Sequence, residues 1–359
     1  MNSPLVSVVM VVRDVERFLG EAIESILCQT FRDFEFIIVD FGSTDKSRSI
    51  LSTYAVKDCR IKVHVIPNCA LAQARNSGCS LAQGRYIAIM DADDIAVPER
   101  LAWQVEFMGN HPDVGVLGGA TEWIDATGRL LRIDRPPVED PEIRAALKGR
   151  CPFATPTIRT EAFGLVGGYR RVFVQAEDYD LWLRIAERFQ CANLPQVVLK
   201  YRIHSGQLSV RRTREQTLCV LAAQVSALAR GEGMPDPLDG VDAVTPELLA
   251  ALGVSDATQQ ITTAGQCLSW LRTMYLAGEY SSALATTDEV LESSGWEHAE
   301  RWQMADIRLI AARSYWKQRR FARSLLMACQ AFMTRPAMAG RPIKTLLRRT
   351  QDNHSCVLL

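Results

Sequence analysis

Short apolar runs alternate with segments of helical periodicity over roughly the first 210 residues of the chain. The apolar runs predict strands at 6–12, 34–39, 62–66, 86–90 and 114–118. The periodic segments predict helices at 16–29, from Thr44 and Asp45 onward, at 70–83 with Gly84 as the stop, and at 100–108. This alternation predicts an α/β fold with a mostly parallel sheet flanked by helices.

The strand pattern stops near residue 211, and the remaining sequence is typical of helices. We therefore predict an α/β domain at 1–212, a helix and a linker at 213–244, and an all-α domain at 245–359. Within the last region, 270–291 and 310–332 share the order helix, polar turn, aromatic residue, helix, about 40 residues apart. Tetratricopeptide-like hairpins explain this similarity, and a plain helical bundle explains it equally well.

Composition narrows the class of protein. Hydrophobic residues make up 48% and charged residues 23% of the 359 residues, as in a globular protein with a sizeable core. The ten cysteines show no CxxC or CxxH spacing, which argues against a zinc site or a disulfide framework and favours reduced thiols in the cytoplasm. No apolar run approaches the length of about 18 residues that spans a bilayer, so we do not expect a transmembrane helix.

The net charge is zero, but basic residues are concentrated near the carboxyl end. Residues 313–349 contain ten Lys and Arg residues and no Asp or Glu. Such a segment is either a solvated helix face or a surface for an anionic partner, such as the inner face of a membrane. No nucleic-acid-binding motif accompanies this charge, so we do not expect nucleic acid as a partner. The last four residues, from Cys356, fit a short prenylation pattern that we attribute to chance.

One acidic group follows directly on a predicted strand. Asp91, Asp93 and Asp94 come after the apolar run at 86–90, and Asp40 follows the run at 34–39. Ligands of parallel α/β sheets bind beyond the carboxyl ends of the strands. Clustered carboxylates favour a hard divalent cation, Mn²⁺ or Mg²⁺, that shares its coordination shell with substrate phosphates. The alternative is the acid-rich start of a helix. We predict a metal site here.

A second acidic group comprises Glu177, Asp178 and Asp180, and an amphipathic helical segment follows it. Acidic residues are common in the first turn of a helix, and a structural role is therefore the simplest explanation of this group taken alone. A carboxylate placed at a ligand site could instead accept a proton from a substrate hydroxyl.

The order of these segments resembles that of the family 2 glycosyltransferases of the GT-A fold. The resemblance spans about residues 4–210 and rests on many short segments that occur in the same order. The matching segments are 7–10, 22–30, 36–40, 42–45, 74–76, 90–94, 167–169, 176–184 and 201–205.

The resemblance implies an inverting, metal-dependent transfer of a sugar from a nucleotide-diphosphate sugar, with a UDP-sugar favoured. The acceptor would be a carbohydrate or a lipid-linked sugar in the synthesis of a surface polysaccharide or glycolipid. The implied roles are Asp178 as catalytic base with Glu177 in support, Val11, Arg13, Asp40, Arg75 and Asp91 at the nucleotide, and Asp91, Asp93 and His204 at the metal.

The chain also departs from the family pattern. The family commonly has Pro-Val-Tyr-Asn after the first strand, where this chain has Val-Val-Arg13-Asp14, and a second Asp often stands where this chain has Phe41. The family also often has a His before a Pro, where this chain has Thr155 before Pro156. These changes leave open a catalytically degenerate, nucleotide-sugar-binding adaptor that acts through its helical domain. A sugar nucleotidyltransferase is less favoured, because 11–18 lacks the Gly-rich loop that it would need.

Overall fold

The fold is described from a computed structural model in which residues 3–67, 69–207, 212–292 and 296–336 are described. Part of the predicted basic segment, 337–349, and the pattern at Cys356 lie outside these residues. The strands are β1 Val6–Val12, β2 Phe34–Asp40, β3 Ile61–Val65, β4 Tyr86–Asp91, β5 Ile95–Ala96, β6 Val114–Asp125, β7 Leu130–Asp134, β8 Thr157–Arg159 and β9 Gln190–Ile203.

In the described residues, seven helices alternate with these strands along the chain. No strand lies between the six described helices that follow. The first set is α1 Leu19–Leu27, α2 Ser47–Lys57, α3 Leu71–Ser80, α4 Arg100–Asn110, α5 Asp140–Leu147, α6 Thr160–Leu165 and α7 Glu177–Ala186. The second set is α8 Thr213–Gly231, α9 Pro246–Ala251, α10 Asp256–Ala277, α11 Tyr280–Glu292, α12 Arg301–Lys317 and α13 Phe321–Thr334.

Across the described residues, the nine strands form one sheet in the order β3-β2-β1-β4-β8-β6-β9-β5, with β7 paired to β6. The half β3-β2-β1-β4 is parallel, whereas β8 pairs antiparallel with β4 and β6. The α/β class with flanking helices is confirmed, and so is the all-helical character of the described carboxyl-terminal region, but the sheet is mixed rather than mostly parallel, because β7, β8 and β9 add antiparallel pairs. The antiparallel strands β7, β8 and β9 are not among the predicted strands.

The central strands are mostly apolar and are buried on both sides, as expected for a sheet that helices flank. Every residue of β2 is buried, and six of the seven residues of β1 are buried. Helix α1 turns Leu19, Ala22, Ile23 and Ile26 inward at helical spacing, and each is fully buried. Full burial of such a Leu or Ile side chain contributes about 1.5–3 kcal/mol.

Two predicted helix boundaries are wrong for local reasons. Helix α2 begins at Ser47 rather than at Thr44, because the Asp45 carboxylate accepts hydrogen bonds from the backbone N–H groups of Ser47 and Glu16, at 2.9 Å each, and fixes a turn. Helix α3 ends at Ser80, so Gly84 does not stop it. A Cβ at Gly84 would lie 2.6 Å from the Ser7 nitrogen, and glycine is therefore required by the close approach of β1.

The chain forms two compact units, 1–202 with 222–243 and 203–221 with 244–359. In the second unit the pairs α10/α11 and α12/α13 repeat one local pattern. Gly278 and Arg319 have left-handed backbones in the two turns, with φ of 82° and 61°. An aromatic pair bridges each turn: Tyr275 with Tyr280 and, 41 positions later, Trp316 with Phe321. No helix in the described part of the chain is long and apolar enough to cross a membrane.

Candidate active site

The carboxyl edge of the parallel half of the sheet gathers the first acidic residues. Strand β1 lies between β2 and β4, with Val12 opposite Asp40 and Val11 opposite Asp91. Neighbouring strands are about 5 Å apart, so the backbones of Asp40 and Asp91 lie about 10 Å apart at one edge. The sequence prediction that both follow strands at this edge is borne out by these registers.

Arg75 of α3 joins the two acidic groups. Its Nη2 lies 3.2 Å from Asp91 Oδ1, and its Nε lies 3.2 Å from Glu177 Oε1. The Arg75 side chain is only 13% exposed, and its guanidinium lies over the Tyr169 ring at 5.7 Å. Tyr169 is held in turn by Asn76, whose side chain exchanges two hydrogen bonds with the Tyr169 backbone. One buried arginine therefore connects residues 86 positions apart in sequence.

Arg75 balances only part of the negative charge of the carboxylates around it. Burial raises the pKa of Asp91; Arg75 opposes this, and the charges of Asp93 and Asp178 raise the Asp91 pKa further. Burial likewise raises the pKa of Glu177 to about 7. The charge of Arg75 opposes this shift, and the charge of Asp178 adds to it. The charges of Asp91, Asp93, Glu177 and Asp178 therefore act on one another, and we call these four residues the acidic cluster.

The loop after β4 is fixed by Arg202 of β9. The Arg202 backbone N–H donates to Asp94 at 2.8 Å, and its Nε donates to the Asp93 carbonyl at 2.8 Å. The Arg202 guanidinium also lies 4.7 Å from the centroid of Phe18. Asp94 is buried, and burial followed by the charges of Asp93 and Asp91 raises its pKa well above the usual value. Asp94 and Arg202 thus position Asp93. Arg202 lies in the segment 201–205, which matched the family, but its role was not predicted.

The residues of the second acidic group have two different roles. Glu177 and Asp178 open α7 directly after Ala176, whose backbone is left-handed at φ 54°. Such a conformation in a residue with a side chain is costly and is often found at functional sites. Asp180 is instead fully buried between Arg170 and Arg184, with Arg184 Nη2 at 2.8 Å. Asp180 therefore anchors the helix, whereas Glu177 and Asp178 belong to the acidic cluster.

Asp40 makes its contacts within the protein. Its Oδ1 accepts from the backbone N–H groups of Gly42 at 3.1 Å and Ser43 at 2.8 Å, and its Oδ2 lies 2.5 Å from Arg48 Nε. Burial opposes ionisation, but the hydrogen bonds from Ser43 and Arg48 prevail and lower the Asp40 pKa. The Arg48 side chain is 49% exposed and lies between Asp40 and solvent. No pattern in the sequence indicated this role of Arg48.

The two departures from the family pattern contact each other. The Arg13 guanidinium lies over the ring of Phe41, 5.6 Å from its centroid, and the Arg13 side chain is 56% exposed. Phe41 is buried, so it supports Arg13 from beneath. An exposed guanidinium plane can stack on a base, as an aromatic ring does. Val11 lies one strand position before Val12 on the same edge.

His204 belongs to the second compact unit, where its Nδ1 accepts from the Gly206 N–H at 3.1 Å.

The acidic cluster fits a divalent cation that is shared with a substrate. Among the described residues, no three His, Cys, Asp or Glu side chains are grouped as a complete metal site. Asp91 and Asp93 offer carboxylate oxygens, and the charge of Asp93 helps to raise the pKa of Asp91, a repulsion that a nearby cation would relieve. Mg²⁺ and similar ions are commonly held by one or two carboxylates together with substrate phosphates. The residues present therefore fit such an ion.

The mixed sheet with its flanking helices and acidic carboxyl edge is the arrangement expected of a GT-A transferase. The profile of glycosyl transferase family 2 matches residues 7–166. An uncharacterized glycosyltransferase of Methanocaldococcus jannaschii is 35% identical over 224 residues, which cover 61% of this chain and 77% of that protein. The chain belongs to the family 2 glycosyltransferases.

The name of a second relative states both a donor and an acceptor. Escherichia coli WfaP, a UDP-Glc:alpha-D-GlcNAc-diphosphoundecaprenol beta-1,3-glucosyltransferase, is 30% identical over 214 residues, which cover 59% of this chain and 82% of WfaP. The mannosyltransferase PcManGT from Pyrobaculum calidifontis, solved with GDP-Man and Mn²⁺, has a TM-score of 0.51 at 18% identity and covers 89% of each chain. This second likeness confirms the GT-A fold.

Proposed function

We propose that this glycosyltransferase moves a sugar from a nucleotide-diphosphate sugar to an acceptor hydroxyl with inversion of configuration, using Mn²⁺ or Mg²⁺. The observation that carries the proposal is the contact of Arg75 with both Asp91 and Glu177, which joins the carboxylates that would bind the cation to the residues that would handle the acceptor proton.

In this mechanism Asp178 removes the proton of the acceptor hydroxyl. The acceptor oxygen attacks the anomeric carbon on the face opposite the diphosphate, and the bond from that carbon to the diphosphate breaks with its electron pair on the leaving oxygen. The transition state has oxocarbenium character. Asp91 and Asp93 would hold the cation, which when bound neutralises charge on the diphosphate. Arg75 fixes Glu177, which supports Asp178.

For the remaining predicted residues, we propose that Val11 and Arg13 border the nucleotide, that Asp40 lies at the nucleobase together with Arg48, and that His204 approaches the metal or the diphosphate. We favour a UDP-sugar as donor and a lipid-linked sugar as acceptor, in the synthesis of a surface polysaccharide or glycolipid. The name of WfaP supports both choices. We also propose a transferase domain at 1–212 and tetratricopeptide-like hairpins within 245–359.

The Asp93 carboxylate should be required for cation-dependent binding of nucleotide. In a thermal-shift assay with UDP, we expect Mn²⁺ to raise the melting temperature of the wild type and to have little effect on Asp93→Asn, because stabilisation follows occupancy of the folded protein. The matched control is Asp113→Asn, at an exposed aspartate before β6. A full Mn²⁺ effect in Asp93→Asn would contradict the assignment.

Cation binding should strengthen as the pH rises through about 7. The Glu177 pKa is raised from 4.5 to about 7, so below pH 7 the folded cluster holds a proton that the cation must displace. The same shift makes folding without cation less favourable as pH rises from 4.5 to 7, since the unfolded chain binds fewer protons there. We expect the Mn²⁺ dissociation constant, measured by calorimetry with UDP, to fall between pH 6 and pH 8. Glu177→Gln should flatten this dependence, and a flat wild-type profile would contradict the assignment.

The adaptor alternative is motivated by Arg13 and Phe41. It predicts that nucleotide binds but that no donor is consumed, whereas the transferase predicts donor turnover that is lost in Asp178→Asn. Turnover of UDP-sugars by the wild type, followed as release of UDP, separates the two functions.

A further inference from the structure

The outward face of α13 is apolar along the whole helix. Phe321, Leu325, Leu326 and Met333 are exposed by 52%, 68%, 53% and 72%, and the other exposed positions on this face are Ala322 and Cys329. The opposite face packs inward, with Ser324 and Ala331 buried. Contiguous apolar surface of this kind on a globular protein marks a contact with a partner or a membrane.

An aromatic pair across the turn between α12 and α13 extends this face. Trp316 is 62% exposed, and its ring meets that of Phe321 edge to face at 4.8 Å between centroids. Exposed tryptophan with an apolar body and a polar N–H suits the boundary between lipid headgroups and acyl chains. The two rings and the α13 residues together form what we name the α13 surface: Trp316, Phe321, Leu325, Leu326 and Met333.

Cations border the α13 surface. Lys317, Arg319, Arg320 and Arg323 are all exposed, and the described residues after Asp306 contain no Asp or Glu. Apolar side chains flanked by basic residues are the features with which amphipathic helices lie in the interface of an anionic bilayer, without crossing it. Each cation adds attraction to anionic headgroups.

The same charge argues against a second copy of the chain as the occupant. A two-fold contact through the α13 surface would place the basic residues of one copy against those of the other, and like charges across an interface oppose association. An anionic lipid surface offers apolar and charge complementarity at once.

We propose that the α13 surface binds the interface of an anionic phospholipid membrane. The purpose of this contact rests on the proposed function, because an enzyme that uses a lipid-linked acceptor gains from being held at the bilayer. The contact itself depends only on the second compact unit.

The test is co-sedimentation of the full chain with phosphatidylcholine vesicles and with mixed phosphatidylcholine–phosphatidylglycerol vesicles. We expect the wild type to bind the mixed vesicles preferentially. The combined Leu325→Ser, Leu326→Ser and Met333→Ser variant should bind about tenfold or more weakly, because it removes the apolar side chains that enter the interface. The matched control is Leu228→Ser, at a leucine of α8 that is 63% exposed.

A second variant tests the charge. Lys317→Gln with Arg323→Gln should lower binding to the mixed vesicles and change little on phosphatidylcholine alone, with circular dichroism showing an intact fold. Equal wild-type binding to both vesicle types, no binding, or unchanged binding of the serine variant would overturn the proposal. So would a wild-type dimer that the serine variant converts to a monomer, because the occupant would then be a second copy. Mn²⁺-dependent UDP binding is scored separately, so failure of the proposed function remains distinguishable.

Discussion

We expect Asp178→Asn to lower kcat by about a thousandfold while the donor dissociation constant changes by less than about threefold. Asparagine keeps the size of the side chain but cannot accept the acceptor proton. The charge of Asp178 also raises the pKa of both Asp91 and Glu177, so its removal relieves repulsion and should leave the fold intact. Steady-state release of UDP and calorimetry of donor binding measure the two quantities.

The contrasting variant is Asp180→Asn. Asp180 lies two residues away but pairs with Arg170 and Arg184 inside the protein, so its loss should lower the melting temperature. A kcat for Asp178→Asn within about tenfold of the wild type would contradict its role as base.

Arg75→Met should produce the largest loss of stability among the site variants. Methionine fills much of the space but leaves Asp91 and Glu177 without the positive charge of the Arg75 guanidinium. Removing one partner of a buried ion pair costs about 3–5 kcal/mol in the free energy of unfolding. The free energy of unfolding is measured from the denaturant-induced transition of the first compact unit. The control is Arg13→Ala, whose ion pair with Asp14 is exposed on both sides and should contribute about 1 kcal/mol or less.

The loss caused by Arg75→Met should depend on pH. Asp91 and Glu177 already have raised pKa values with Arg75 present, and without it they should rise further. At low pH both carboxyls are protonated in the folded state and need no cation, so the destabilisation should be smaller at pH 5.5 than at pH 8. Equal losses at the two pH values would mean that the Arg75 contacts carry little of the charge balance.

The parts of the site that follow from local pattern were predictable from the sequence. Asp40 and Asp91 end strands whose apolar runs are plain, so their place at one edge follows from parallel pairing. The different roles of Asp178 and Asp180 were not predictable, because they depend on the ion pairs that Arg170 and Arg184 form with Asp180 in the folded protein. The same is true of Arg48, which covers Asp40, and of Arg202, which holds the loop of Asp93 across 109 positions of sequence.

The antiparallel strands β8 and β9 were not predicted, for a similar reason. Strand β8 has only three residues, Thr157–Arg159, and its pairing with β4 and β6 is decided by partners distant in sequence. Strand β9 includes Pro195 and polar residues, so its sequence lacks the apolar run that marks β1 and β2.

The most direct test is anomalous diffraction from a crystal of the protein soaked with Mn²⁺ and UDP. A cation held by the acidic cluster predicts a manganese peak about 2–2.5 Å from a carboxylate oxygen of Asp93 or Asp91, with the UDP diphosphate in the same coordination shell. A manganese peak bound to other residues, or UDP seated away from Asp93 and Asp178, would contradict the account.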